Sequence, residues 1–214
     1  MSKTRTLKHD GLGTTRVVEH AAGVWIERDA GTARRGARWL ARRLAAREAA
    51  ALRLLAGTPG VPALLAFDGR VLRRSFVRGE PLYVSPPTPR YFARALRVLR
   101  ALHRAGIAHN DLAKEANWLR GPGDAAAIVD FQIAVRSRRR GALFRALALA
   151  DLRHLLKHKR TYCPERLTAR QRALLAAPGP LASLWRMLVK PPYRAVTRGV
   201  LGWRERAGPV ERGV

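Results

Sequence analysis

Hydrophobic periodicity changes along this chain, and the order of the changes restricts the fold more than any single residue does. In GLGTTRVVEHAAGVWIERDAG, residues 11–31, β-branched and aromatic residues alternate with polar ones between glycines, which predicts two or three short strands. A helix is expected from Ala37 to Leu55, where Leu40, Leu44, Ala51, Leu52 and Leu55 fall near helical spacing and GTPG at 57–60 ends it. Residues 61–79, VPALLAFDGRVLRRSFVRG, place Asp68-Gly69 between two apolar runs, a hairpin signal. SPPTP at 85–89 punctuates the chain, and Tyr91 to Arg104 then reads as an amphipathic helix stopped by Gly106. IAHNDL and AAAIVDFQIAV predict short strands flanking the turn Gly121-Pro122-Gly123, and the remainder from Leu143 reads as helical. Strands, helix, strands, then mostly helices is the order of an α+β fold: a small strand-rich lobe, a helical lobe and a cleft between them.

The chain has 214 residues, enough for one substantial core or two small lobes. Hydrophobic residues at 47% and charged residues at 27% are ordinary for a globular protein and argue against disorder over most of the length. The balance of 42 Lys+Arg against 15 Asp+Glu, formally +27, predicts attraction to a polyanion, whether nucleic acid, anionic lipid or phosphorylated saccharide. Charge alone does not choose among them, and GC-rich coding is a bland source for part of the arginine and alanine excess. Cys163 is the only cysteine, so an intramolecular disulfide and a cysteine metal cluster are excluded, as suits a reducing cytoplasm. The polar start MSKTRTLKHDGLG and the lack of a run of about 18 apolar residues lead us to expect neither a signal peptide nor a spanning helix, and hence a cytoplasmic protein.

The chemistry concentrates in HNDLAKEANWL, residues 109–119, and in the following AAAIVD. Asp111 and Asp130 each follow an apolar stretch in loop context, with Asn117 between them. Two carboxylates and a carboxamide on neighbouring loops can hold a hard divalent cation and a hydroxyl together, which is what phosphoryl transfer requires.

The stretch HNDLAKEAN resembles the protein-kinase catalytic loop H-R-D-L-x-x-x-N, and VDFQ resembles the D-F-G motif. LRALHRAGIAHNDL is similar to the helix and turn that introduce this loop in protein kinases, RIO-type kinases, aminoglycoside phosphotransferases and lipopolysaccharide-core (Kdo-type) kinases. The resemblance implies a protein-kinase-like two-lobed fold with a small β-rich N-lobe and an abbreviated helical C-lobe, and ATP and Mg as cofactors. Asp111 would then position the acceptor hydroxyl, and Asp130 and Asn117 would hold metal. GLGTTRVV is similar to G-x-G-x-x-G-x-V, so Gly11 and Gly13 would let backbone N–H groups approach phosphates; a plain strand turn is the alternative. Glu48, the only acid between Asp29 and Asp68, would be the helix glutamate paired with the strand cation, here Arg28; an i,i+4 partner of neighbouring arginines is the bland reading. Phe76 to Leu82 resembles the segment that links the lobes and presents its backbone to adenine.

Departures from the pattern are several. Arg16 replaces the third glycine, and VWIERD offers Glu27 and Arg28 where a lysine is expected. Asp111 and Asn117 are six positions apart instead of five, so either the loop bulges or Asn117 misses the metal. Gln132 replaces the D-F-G glycine and removes a hinge. His109 reads as a structural post, and Asn110 stands where regulated kinases carry a phosphate-receiving arginine. Cys163-Pro164-Glu165 is similar to A-P-E, but Asp151 in the preceding helix resembles the buried aspartate that follows such a motif, so that likeness is discounted. With 84 residues after Asp130 the helical lobe is closer to RIO-type and Kdo-type kinases than to a full peptide-binding platform.

The organisation so implied is residues 1–78 as nucleotide-binding lobe, 79–177 as catalytic lobe and 178–214 as a basic amphipathic tail. In the tail Leu181, Leu184, Trp185 and Leu188 form one stripe, and Tyr193, Val196, Val200 and Leu201 another beyond Pro191-Pro192, which suits anionic lipid or packing on the large lobe. The expected activity is an ATP-dependent kinase acting on a lipopolysaccharide-core saccharide or a protein Ser/Thr hydroxyl, at the inner membrane face or in the cytoplasm. A non-catalytic pseudokinase that binds a partner or an anionic membrane is the alternative. An RNA-associated protein ranks below both, since no stacking platform is evident. Oligomeric state is left open.

Overall fold

The computed structural model describes residues 3–177. Three consecutive antiparallel strands, β1 (Lys3–Asp10), β2 (Gly13–His20) and β3 (Gly23–Asp29), lead into α1 (Arg38–Leu54). A hairpin follows, β4 (Leu64–Phe67) and β5 (Val71–Ser75), and β5 pairs with β3 to give one five-stranded sheet ordered β1-β2-β3-β5-β4. The hairpin turns where Asp68-Gly69 indicates: the Asp68 carboxylate accepts from the Arg70 and Val71 N–H groups at 2.8 and 2.6 Å, and Gly69 takes φ 90°.

β1 departs from the sequence reading, which found only a polar terminus there. KTRTLKHD is exposed at seven of eight positions because it is an edge strand partnered on one side, so no alternating apolar set marks it. α1 buries Ala41, Ala45, Glu48, Ala49 and Leu52 on one face, and its alanines let the helix lie close to its neighbours. Arg38, Arg42, Arg43 and Arg47 take the exposed face.

The rest of the chain runs β6 (Glu80–Pro81), α2 (Pro89–Arg104), β7 (Ile107–Ala108), β8 (Trp118–Gly121), β9 (Ala125–Ile128), β10 (Val135–Arg136), α3 (Ala142–Tyr162) and α4 (Ala169–Ala176). Thr88 caps α2 by accepting from the Tyr91 N–H, and Pro89 opens the first turn. The turn at 121–124 joins β8 to β9, and β7 pairs instead with β10. The expectation that IAHNDL would flank this turn as its strand is therefore corrected. Trp118, which the sequence places at the end of a polar loop, is fully buried opposite Ile128 and carries the true partner strand.

The helical remainder breaks at Cys163, and α4 restarts with a reciprocal Thr168–Gln171 capping box. The tail stripes from Leu181 to Leu201 lie outside the described residues. Among the described residues no helix is long and apolar enough to cross a membrane.

One core joins the two halves. Leu52 of α1 and its C-cap Leu55 pack in the same buried cluster as Tyr91, Leu99 and Leu102 of α2, Trp118, Ile128 and Phe131. Gly60 fastens this seam: its carbonyl accepts the Ile128 N–H at 2.8 Å, its φ is 81°, and a Cβ there would lie 2.4 Å from the Ala126 carbonyl. Gly60→Ala should cost about 1–3 kcal/mol through strain and that close approach. The melting temperature should fall by roughly 2–4 °C per kcal/mol; an unchanged melting curve would contradict the geometry.

Candidate active site

The loop between β7 and β8 is built from the inside out. Asp151 of α3, fully buried, accepts the His109 N–H at 2.8 Å and the Asn110 N–H at 2.9 Å, and its Oδ2 lies 3.2 Å from His103 Nε2. Asn110 is thereby held at φ 65°, a conformation that asparagine tolerates better than most residues. His109 donates from Nε2 to the Val129 carbonyl at 3.0 Å and lies edge-on to Phe131. Burial holds its pKa below the usual histidine value, so it stays neutral, which fits a post for the loop backbone.

Asp111 projects from this post. Its carboxylate accepts from Lys114 Nζ at 2.9 Å and from the Asn117 carboxamide at 3.0 Å, and the same Asn117 nitrogen donates to the Asp111 carbonyl at 2.9 Å. The extra residue in the loop is absorbed by a 3-10 turn at Glu115–Asn117, so Asn117 returns to Asp111 despite the longer spacing. Burial pushes the Asp111 carboxyl above the usual range, with Lys114 opposing and the charge of Asp130 reinforcing the rise. The sequence reading missed Lys114; its signal was an ammonium three residues past the aspartate, within reach on a tight loop.

Asp130 sits at φ 70°, one residue after the point where the Val129 N–H bonds the Asn117 carbonyl at 3.1 Å. This backbone bond puts Asn117 beside the Asp130 segment. Gln132 Nε2 donates to Asp130 Oδ1 at 2.6 Å. The residue expected only to remove a hinge thus also orients the carboxylate. Burial alone would raise the Asp130 carboxyl, but Arg28 and Arg74 outweigh it and hold the group below the usual range, ionised.

Asp130 and Gln132 line a cleft with Lys8, Asp10, Thr15, Ile26, Arg28, Glu48 and Arg74. Strand alternation explains the lining. Glu27 faces the other side of the sheet between its cross-strand neighbours Arg16 and Arg73, accepting from their Nε atoms at 2.9 and 2.8 Å. Arg28, one residue on, faces the cleft. Of the two residues standing where a lysine was expected, only the arginine can therefore serve the site.

Glu48 lies between two guanidiniums, 4.0 Å from Arg28 and 3.3 Å from Arg74. The nearer partner, Arg74, escaped the sequence reading. It stands two residues after the fully buried Leu72 on β5 and so on the same face, an inward direction legible only once the strand register was known. Arg28 Nε is buried and finds no acceptor among the described residues.

The glycine turn is packed tightly. Gly13 has φ 116°, and a Cβ there would lie 2.3 Å from the Asp29 carbonyl, so this glycine is already required by strand packing. Leu12 is buried with Ala30, Ala33, Ala37 and Ala41, and the Gly11 carbonyl accepts the Arg34 N–H.

α3 supports the loop at further points on the Asp151 face. His158 Nε2 donates to the Leu112 carbonyl at 2.9 Å, and Tyr162 OH donates to Glu115 at 2.7 Å. Trp118 Nε1 also bonds the Leu112 carbonyl, at 3.0 Å. Among the described residues no group of three or more His, Cys, Asp or Glu forms a metal cage.

No protein-family model and no curated protein sequence matches the chain. Solved structures do. The Rio2 kinase from Chaetomium thermophilum superposes with a TM-score of 0.60 at 16% identity, over 84% of this chain and 60% of that one. The Rio2 kinase-ADP/Mg2+-phosphoaspartate complex from the same organism gives 0.58 at 16%, over 95% and 66%. The chain therefore spans less than two thirds of either neighbour. The likeness establishes the fold: protein-kinase-like, with a β-sheet lobe followed by a helical one.

Asp151→Ala should leave the buried His109 N–H and the half-buried Asn110 N–H without acceptors, costing about 1–3 kcal/mol for the first and less for the second. Amide hydrogen exchange at His109 and Asn110 should accelerate beyond the change in global unfolding; unchanged exchange would show that the loop is held by other means.

Proposed function

We propose that the chain is an ATP- and magnesium-dependent phosphotransferase that delivers the γ-phosphoryl group to a hydroxyl. The observation that carries this reading is the return of Asn117 onto Asp111 beside the Asp130 segment, despite a loop one residue longer than the motif. In this reading residues 1–78 form the nucleotide lobe, 79–177 the catalytic lobe and 178–214 a basic tail.

Asp111 accepts the hydrogen bond of the acceptor hydroxyl and then its proton, as the new oxygen–phosphorus bond forms and the bond to the ADP leaving group breaks. Its raised pKa favours that acceptance. Lys114 keeps a positive charge beside the carboxylate. Asp130 and Asn117 are the residues that would hold magnesium, and the donor set suits that ion, which usually takes one or two carboxylates and completes its shell with phosphates and water. Bound there, the metal supplies charge neutralisation to the phosphates. In this reading the turn at Gly11 and Gly13 would face the phosphates, Arg28 lines the cleft that receives them, and Glu48 keeps Arg28 and Arg74 oriented.

The acceptor favoured by a formal charge of +27 is an anionic one, a lipopolysaccharide-core type glycolipid at the inner membrane face ahead of a protein Ser/Thr hydroxyl. A second reading, a pseudokinase that binds nucleotide or a partner without transfer, draws on the Gln132 contact to Asp130 and the Lys114 contact to Asp111, which engage both carboxylates with the chain's own side chains.

Asp111→Ala should reduce transfer of radiolabelled γ-phosphate, to separate glycolipid and protein pools, by about 10²-fold or more, the usual worth of a positioned acid or base. Magnesium-dependent stabilisation by ATP should persist in the variant. Transfer retained at the wild-type rate would remove Asp111 from the mechanism, and wild type that binds MgATP without transferring to either pool would favour the pseudokinase.

A further inference from the structure

Resting on the phosphotransferase reading, we propose that Lys8, on the first strand of the sheet, supplies the ammonium that grips the nucleotide phosphates, in place of a lysine on β3. The sheet register carries the argument. Lys8 is the cross-strand partner of Thr15, and Thr15 is the partner of Arg28, so the three stand in one row on one face of β1, β2 and β3. With neighbouring strands about 4.8 Å apart, Lys8 begins about 10 Å from Arg28 along that row, and its side chain reaches into the same cleft as Arg28, Asp130 and Gln132.

The division of labour follows from the charges. Arg28 and Arg74 both lean on the buried Glu48, so the two guanidiniums are occupied in setting α1 against the sheet. Lys8 is engaged with Asp10 at 2.7 Å, but its side chain is 47% exposed, and an ion pair so open to water contributes little. A triphosphate carries several negative charges into the cleft and offers the ammonium a stronger partner than the single charge of Asp10, whose carboxylate also accepts the Leu12 N–H at 2.8 Å. That bond keeps the carboxylate, and with it Lys8, at the edge of the glycine turn.

The residue type matters as well. Only six of the 42 basic residues in the chain are lysine, so a lysine lining the cleft is not what composition alone would place there. An ammonium is a compact charge with three rotatable donors, able to follow phosphate oxygens that a planar guanidinium meets in fewer geometries.

The test uses the full chain and compares wild type, Lys8→Ala and Lys8→Arg for affinity to MgATP and to adenosine by calorimetry, with melting of the unliganded proteins alongside. Lys8→Ala should weaken MgATP at least tenfold while leaving adenosine affinity and unliganded melting within experimental error of wild type, and Lys8→Arg should recover part of the loss. MgATP affinity within twofold of wild type in Lys8→Ala, or an equal loss for adenosine, overturns the proposal and leaves the phosphotransferase reading standing. Wild type that binds no nucleotide removes both.

Discussion

A buried carboxylate, Asp151, holds the loop on which the candidate chemistry stands. It reaches back about forty residues in sequence to take the N–H groups of His109 and Asn110, and no helix or sheet ladder could satisfy these donors while Asn110 is at φ 65°. Function concentrates on loops because their backbone can adopt such shapes, but a loop positions a side chain well only when a rigid element fixes it. α3 is that element. Asp151, His158 and Tyr162 lie at i, i+7 and i+11 on one of its faces and meet the loop at His109–Asn110, Leu112 and Glu115 in turn.

The second organising constraint is the pairing of scarce acids with abundant arginine. Glu48 and Asp130 sit beside Arg28 and Arg74 and Asp111 beside Lys114, and their environments differ: burial raises Asp111, whereas Arg28 and Arg74 keep Asp130 low. Carboxylates whose affinities for protons are pushed apart can take different parts in one reaction, one meeting a proton and the other a cation. The same arginines have a mechanical effect, since Glu48 links α1 to β3 through Arg28 and to β5 through Arg74.

Much of the α+β order was legible from periodicity, because α1 and α2 each bury one face and expose the other and so print their period on the chain, and because Asp68-Gly69 marks the hairpin turn directly. The misses share a different cause. β1 has one neighbour strand and almost wholly exposed side chains, so it carries no hydrophobic alternation. β8 starts at Trp118, directly after a polar loop, and only its pairing with β9 reveals it as a strand. Arg74 resembles any arginine in a basic chain until the register puts it on the face shared with Leu72 and Ile26.

The residue types of the candidate site were readable by themselves: two aspartates, an asparagine, a lone helix glutamate and a glycine turn come in an order that resembles the protein-kinase motifs. Which of these groups meet was decided by tertiary structure alone. A one-residue insertion could have carried Asn117 away from Asp111, and whether a 3-10 turn takes up the slack depends on the β8–β9 register and on α3 behind the loop. Spacing along a chain records which groups are available, whereas distance across a cleft depends on packing between segments far apart in sequence.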